Sequence, residues 1–148
     1  MTLPLPQPRP ARTLRNEADH RFWRSCEERE LCLPQCDSCG KFEWPPTPEC
    51  GACGGGTFSW KRLSGLGCVR SFCTFERAYY RECPTPWTVL LVELDEGPLF
   101  IGNPKGIADE ELREGLRVRL AWLRCRDVHG EFNLPVFERE ESMVRAHV

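Results

Sequence analysis

Two pairs of cysteines at one spacing constrain this sequence more than any other feature. Cys36-Asp37-Ser38-Cys39 and Cys50-Gly51-Ala52-Cys53 are separated by ten residues, and a glycine follows each pair, Gly40 and Gly54. Two such pairs form two knuckles that offer four thiolates to one tetrahedral ion, and each glycine lets the backbone turn tightly enough for amides to point at sulfur. Soft thiolates in a four-sulfur set favour Zn²⁺, with iron as the other candidate. Four cysteines leave no spare ligand position, so Cys36, Cys39, Cys50 and Cys53 are expected to hold a structural zinc and not a hydrolytic one. The chain has ten cysteines in 148 residues. The remaining six, Cys26, Cys32, Cys68, Cys73, Cys83 and Cys125, lack paired spacing and read as small buried apolar side chains. The Pro-rich N-terminus carries no apolar core of a secretory signal, so a disulfide framework is not expected and the expected location is the cytoplasm. No apolar run approaches the ~20 residues of a membrane helix.

The rest of the chain divides by pattern into a tail and helix over residues 1–34, the metal ribbon over 35–56, a β domain over 57–140 and a charged tail over 141–148. Pro and Arg dominate residues 1–15, which read as loosely attached. Asn16 can cap a helix from Glu17 to Glu30 with Glu17 and Asp19 in its first turn, and Ala18, Phe22, Trp23 and Cys26 fall on one helical face. With little core of its own expected beneath it, that face reads as a docking stripe for a partner. Pro45 and Pro46 make a rigid link between the knuckles. Strands are expected from Phe58 to Phe75, interrupted at Gly65 and Gly67 where a barrel would bend, then over Trp87–Leu94, Leu99–Gly102, Leu116–Leu123 and Phe132–Phe137. A short helical piece, Asp109–Glu114, falls between the third and fourth strands. Five strands with a helix at that point is the order of an OB-fold barrel, so the fold expected is mainly β: N-terminal helix, zinc ribbon, five-stranded barrel.

The residues taken together resemble a family that joins a rubredoxin-like zinc ribbon to an OB-fold, first catalogued as a domain of unknown function. The resemblance rests on both knuckles, Trp44-Pro45-Pro46, Trp60, Ser64-Gly65-Leu66-Gly67, Val92-Glu93-Leu94-Asp95-Glu96-Gly97, Gly102-Asn103, Gly115-Leu116-Arg117-Val118 and Pro135-Val136-Phe137. It implies an accessory subunit of enzymes that handle acyl-CoA thioesters: thiolase-like enzymes, lipid-transfer-type thiolases, aldolases of sterol side-chain breakdown, thiolase-based acyltransferase complexes and MaoC-type enoyl-CoA hydratases. Such a subunit completes a hetero-oligomer and helps shape a CoA channel. On that reading Phe22, Trp23, Phe42 and Trp44 contact the partner, while Ser64, Gly65 and Gly67, with the Leu94–Leu99 hairpin, border the channel. One departure is Thr47, where the family often has arginine.

Other functions fit less well. His20, His129 and His147 are isolated in sequence, and neither a nucleophile elbow nor a phosphate-binding glycine loop is present, so the chain reads as non-catalytic. Ribbons and OB-folds also bind single-stranded nucleic acid, but such a protein should be basic. Residues 86–148 hold twelve acidic and eight basic side chains, and a zinc with four thiolates adds about two further negative charges. The cluster Lys61, Arg62, Arg70, Arg77 and Arg81 reads as a solvated face, with contact to a CoA phosphate or an acidic partner surface as the alternative. A rubredoxin-like electron carrier would leave the whole barrel unexplained.

Overall fold

One helix, a two-stranded ribbon and a six-stranded sheet are built from residues 5–141, the part of the chain that the computed structural model describes. Of the tail expected over 141–148, all but Glu141 lies outside the described residues.

Helix α1 (Glu17–Glu27) starts where the sequence predicts, with the Asn16 side chain accepting the Asp19 N–H. It stops three residues short of the expected Glu30. Arg29 takes a left-handed φ of 57°, its N–H bonds to the Cys26 carbonyl, and the Glu30 N–H reaches back to the Ser25 carbonyl. These two bonds make a Schellman end that usually uses glycine. No glycine marks it here.

Strands β2 (Cys32–Cys36) and β3 (Phe58–Arg62) pair antiparallel, from Cys32 opposite Arg62 to Cys36 opposite Phe58. The first strand after the knuckles therefore completes the ribbon and does not join the barrel sheet. The barrel strands are β4 (Leu66–Phe75), β5 (Trp87–Leu94), β6 (Leu99–Gly102), β7 (Arg117–Asp127) and β8 (Gly130–Arg139). β4 lies between β5 and β7, β6 flanks β5, and β8 flanks β7. A parallel bridge between Pro104 and Phe137 joins the end of β6 to β8 and closes the barrel. The helical piece is a single 3₁₀ turn, Asp109–Glu111. One strand was not foreseen: β1 (Gln7–Pro8) runs parallel to β7 at Cys125 and Arg126, so part of the N-terminal segment expected to be loose is a strap on the barrel.

The expected stretch breaks at Gly65, between β3 and β4, while the register irregularity of β4 falls further on, between Val69 and Ser71. Gly65 and Gly67 are both demanded by close approach. A Cβ on Gly65, which has a φ of +80°, would lie 2.6 Å from Leu120 Cβ, and one on Gly67 would lie 2.5 Å from the Glu93 carbonyl oxygen. Because that oxygen belongs to the paired strand and cannot swing away, Gly67→Ala is expected to cost about 1–3 kcal/mol by overpacking. A urea-unfolding midpoint unchanged from the parent would refute this account.

Ribbon and barrel share one core. Leu31, Leu33 and Leu63 from the ribbon side pack into the same buried cluster as Val69, Leu90, Val92, Val118 and Phe137, and Phe22 of α1 joins them. Beyond Val69 the β4–β5 hairpin leaves the barrel, and Phe72, Phe75, Tyr79 and Tyr80 on it are exposed.

Candidate metal centre and the aromatic junction beside it

The two knuckles repeat one backbone geometry. In the first, the Gly40 N–H donates to the Cys36 carbonyl at 2.9 Å and the Cys36 N–H to the Lys41 carbonyl at 2.8 Å. In the second, Gly54 donates to Cys50 and Cys50 to the Gly55 carbonyl, each at 2.8 Å. Gly40 and Gly54 both sit at φ +80°, a left-handed conformation that favours glycine. This symmetry brings the four sulfurs together: Cys36 and Cys53 Sγ are 3.5 Å apart, Cys39 and Cys50 Sγ 3.6 Å, and all four lie within 4.8 Å of one another.

The donor set fits zinc. Zinc–sulfur bonds of ~2.3 Å in a tetrahedron place sulfurs roughly 3.8 Å apart. The Ala52 and Gly55 amides point at the Cys50 and Cys53 sulfurs at 3.4 Å, the arrangement that stabilises thiolate. A side chain at Gly55 would crowd the site, since its Cβ would fall 3.2 Å from Cys36 Sγ. The Cys39 amide, with that of Ser38, holds the Cys36 thiol down at about 7 despite its burial. Cys53 receives the Gly55 amide, yet its neighbouring sulfurs push its thiol up to about 12. Four thiolates this close repel one another, and a dication is what allows all of them to ionise. Two braces hold the knuckles: Ser59 Oγ donates to Asp37 at 2.6 Å, and the Gly51 N–H to Glu43 at 2.6 Å. Thr47 donates its hydroxyl to the Glu49 carbonyl at 2.7 Å and closes the linker.

The four aromatic residues expected at a partner surface divide. Phe22 is 4% exposed, with its ring centre 4.4 Å from Trp44 and 6.1 Å from Phe100. It is an interior side chain, which corrects its reading as a docking residue: the ribbon linker and β6 supply the covering that the sequence did not reveal. Trp44 stacks on Phe100 at 5.7 Å, and Trp23 meets Phe132 edge-on at 5.3 Å. Trp23, Phe42 and Trp44 are each half-buried.

Ser64 and the Leu94–Leu99 hairpin lie side by side. The Ser64 N–H donates to the Glu96 carboxylate at 2.8 Å, and the Asp95 N–H to the Leu66 carbonyl at 2.9 Å. Gly65 and Gly67 are buried, so of the three residues only Ser64 offers its own surface. The basic cluster is dispersed: Arg62 pairs with Glu30 and Arg70 with Glu93. Of the six cysteines outside the quartet, Cys26, Cys83 and Cys125 are buried, Cys32 and Cys68 are partly so, and Cys73 is exposed on the hairpin arm, against the interior reading. Burial raises the Cys26 and Cys125 thiols above their ordinary range.

An ion pair missed by sequence reading holds the strap. Arg12 donates through its backbone N–H and Nε to one oxygen of Asp127, at 2.9 and 2.8 Å, and its guanidinium lies 4.2 Å from the Phe132 ring centre. The Asp127 side chain is fully buried. Burial alone would raise its carboxyl, but the Arg12 side chain and the amides of Arg12 and His129 more than offset this and hold it at about 2. Its only sequence signal was the arginine content of the N-terminal segment.

Residues 60–123 match the family model of the ChsH2 C-terminal OB-fold domain. A solved structure described as an Ltp2–ChsH2(DUF35) aldolase superposes with a TM-score of 0.75 and 30% identity, over 86% of this chain and 98% of that one. The chain belongs to the DUF35 family. A DUF35 domain-containing scaffold protein of Pyrococcus furiosus is 27% identical over 72% of this chain and 79% of its own length. A probable enoyl-CoA hydratase alpha subunit of Thermomonospora curvata is 34% identical over 92% of this chain, which spans only 42% of that relative. The DUF35 chain described here carries a four-cysteine ribbon, and no helix among its described residues is long and apolar enough to cross a membrane.

Proposed function

We propose that this DUF35 chain is a non-catalytic accessory subunit, held together by a structural zinc on Cys36, Cys39, Cys50 and Cys53, that binds and completes an acyl-CoA-processing enzyme of thiolase-like, aldolase or acyltransferase type. The observation that carries this is the near full-length likeness to the DUF35 chain of an aldolase complex. The identity of the Thermomonospora relative favours a second reading, a MaoC-type enoyl-CoA hydratase as the partner. A groove lined by Gly40, Lys41, Phe42 and the Glu96–Pro98 turn, where the first knuckle meets the β5–β6 hairpin, is the partner-facing surface in this proposal, with Ser64 beside it at the CoA channel. A reducing compartment such as the cytoplasm keeps the quartet available for metal.

Co-expression tests the reading. With thiolase-like and MaoC-type subunits encoded in the same genome, the chain is expected to co-elute with one of them and to raise its acyl-CoA turnover above that of the subunit alone. If it co-elutes with neither, and instead retains single-stranded oligonucleotide with an affinity that falls steeply as salt rises, the nucleic-acid alternative replaces it.

A further inference from the structure

A cavity of about 310 Å³ opens between the strap, α1 and β6, walled by Trp23, Trp44, Trp87 and Phe100, with Arg9 and Asn103 at its polar side. No acidic side chain lines it. Arg9 is fixed in place: its N–H donates to the Arg126 carbonyl at 2.9 Å, and its guanidinium carbon lies 4.6 Å from the Trp87 ring centre. One guanidinium N–H meets Asn103 Oδ1 at 3.4 Å, and Asn103 is itself oriented by a bond to the Thr88 carbonyl at 2.9 Å. Among the described residues no carboxylate stands within ion-pair distance of Arg9. A guanidinium has five N–H donors in a planar fork, so most of this fork faces the groove unused.

We infer that this groove binds a small organic acid, one carboxylate on a flat aromatic or short aliphatic body. The aromatic walls take the apolar body, and offset or edge-to-face ring contacts favour a ring. The Arg9 fork takes the carboxylate in two parallel charge-assisted bonds. At the packing density of a protein interior the cavity holds about a dozen non-hydrogen atoms. A single cation matches a single negative charge and no second basic side chain lines the groove, which sets nucleotides and other polyphosphates aside. The inference does not depend on the accessory-subunit reading.

The chain has five tryptophans, and only Trp23, Trp44 and Trp87 line the groove, so the indole N–H signals of Trp60 and Trp122 serve as internal controls. Titrating the zinc-loaded full chain with phenylacetate or hexanoate is expected to shift the three groove indoles saturably and leave the two controls in place. Phenylacetamide, which keeps the ring and loses the charge, is expected to bind about tenfold more weakly or less, and Arg9→Gln to weaken phenylacetate by a similar factor. The inference fails if neither acid gives a saturable shift, if all five indoles move together, or if phenylacetamide binds as well as phenylacetate. The amide comparison uses the unaltered protein, so it stands even if Arg9→Gln disturbs the strap.

Discussion

Replacing Cys36 with serine is expected to lower bound zinc from about one ion per chain to well below half, and to lower the melting temperature by more than about 10 °C. The size follows from what the ion does. Structural zinc in small modules supplies roughly 10–16 kcal/mol of binding energy that is also folding energy, and one lost thiolate forfeits a large part of it. Cys36 ends β2 and is itself buried, so damage there passes directly to Leu31 and Leu33, which lie in the shared core. The unfolding should therefore reach the barrel and not stop at the ribbon. Cys73→Ser, on the exposed hairpin arm, is the matched control and should change neither quantity. Metal analysis with thermal unfolding decides the matter: an unchanged zinc-to-protein ratio in the Cys36 variant would remove it from the ligand set.

Arg12→Ala is the second large effect. It removes the guanidinium and leaves the Asp127 carboxylate buried with only two backbone amides donating to it, that of residue 12 at 2.9 Å and that of His129 at 2.8 Å. Breaking a buried pair by removing one partner typically costs about 3–5 kcal/mol. The variant should also lose the part of a pH dependence that the Arg12 side chain supplies. Asp127 is held at about 2 in the folded chain against an ordinary 3.8. A depressed carboxyl contributes stability that is complete above the unfolded value and lost as pH falls through the folded one, here roughly 2 kcal/mol given up between about pH 4 and pH 2. Urea unfolding of parent and variant at pH 7 and near pH 2 measures both effects. Equal acid sensitivity in the two proteins would show that the clamp is not the titrating element.

The parts of this molecule that sequence reading recovered are those written in local pattern. The knuckles are fixed by spacing and by glycines at left-handed turns. The strands from Trp87 onward are fixed by alternation and by turn residues, and α1 is fixed at its start by the Asn16 cap. What escaped depends on a distant partner. The alternation of Phe58 and Trp60 marks a strand but does not say that it pairs with Cys32–Cys36. Helical periodicity identified the apolar face around Phe22 but not the Trp44 and Phe100 rings that cover it. The helix overran because Arg29 closes it in a conformation that sequence associates with glycine. Cys73 lies exposed because residue type predicts burial only on average. The strap was illegible for the same reason as the rest: two residues, Gln7 and Pro8, carry no period, and their partner β7 lies at the other end of the chain.

That pairing has a consequence for the order of events in time. Gln7 and Pro8 are synthesised more than a hundred residues before their partners Cys125 and Arg126 and the Asp127 that anchors Arg12. The strap has nothing to rest on while the ribbon and the first barrel strands form, because contacts of such long sequence separation are reached only after the intervening chain has been organised. Docking of the strap therefore follows formation of β7, and until then the nascent chain carries Arg9 and Arg12 without their barrel partners.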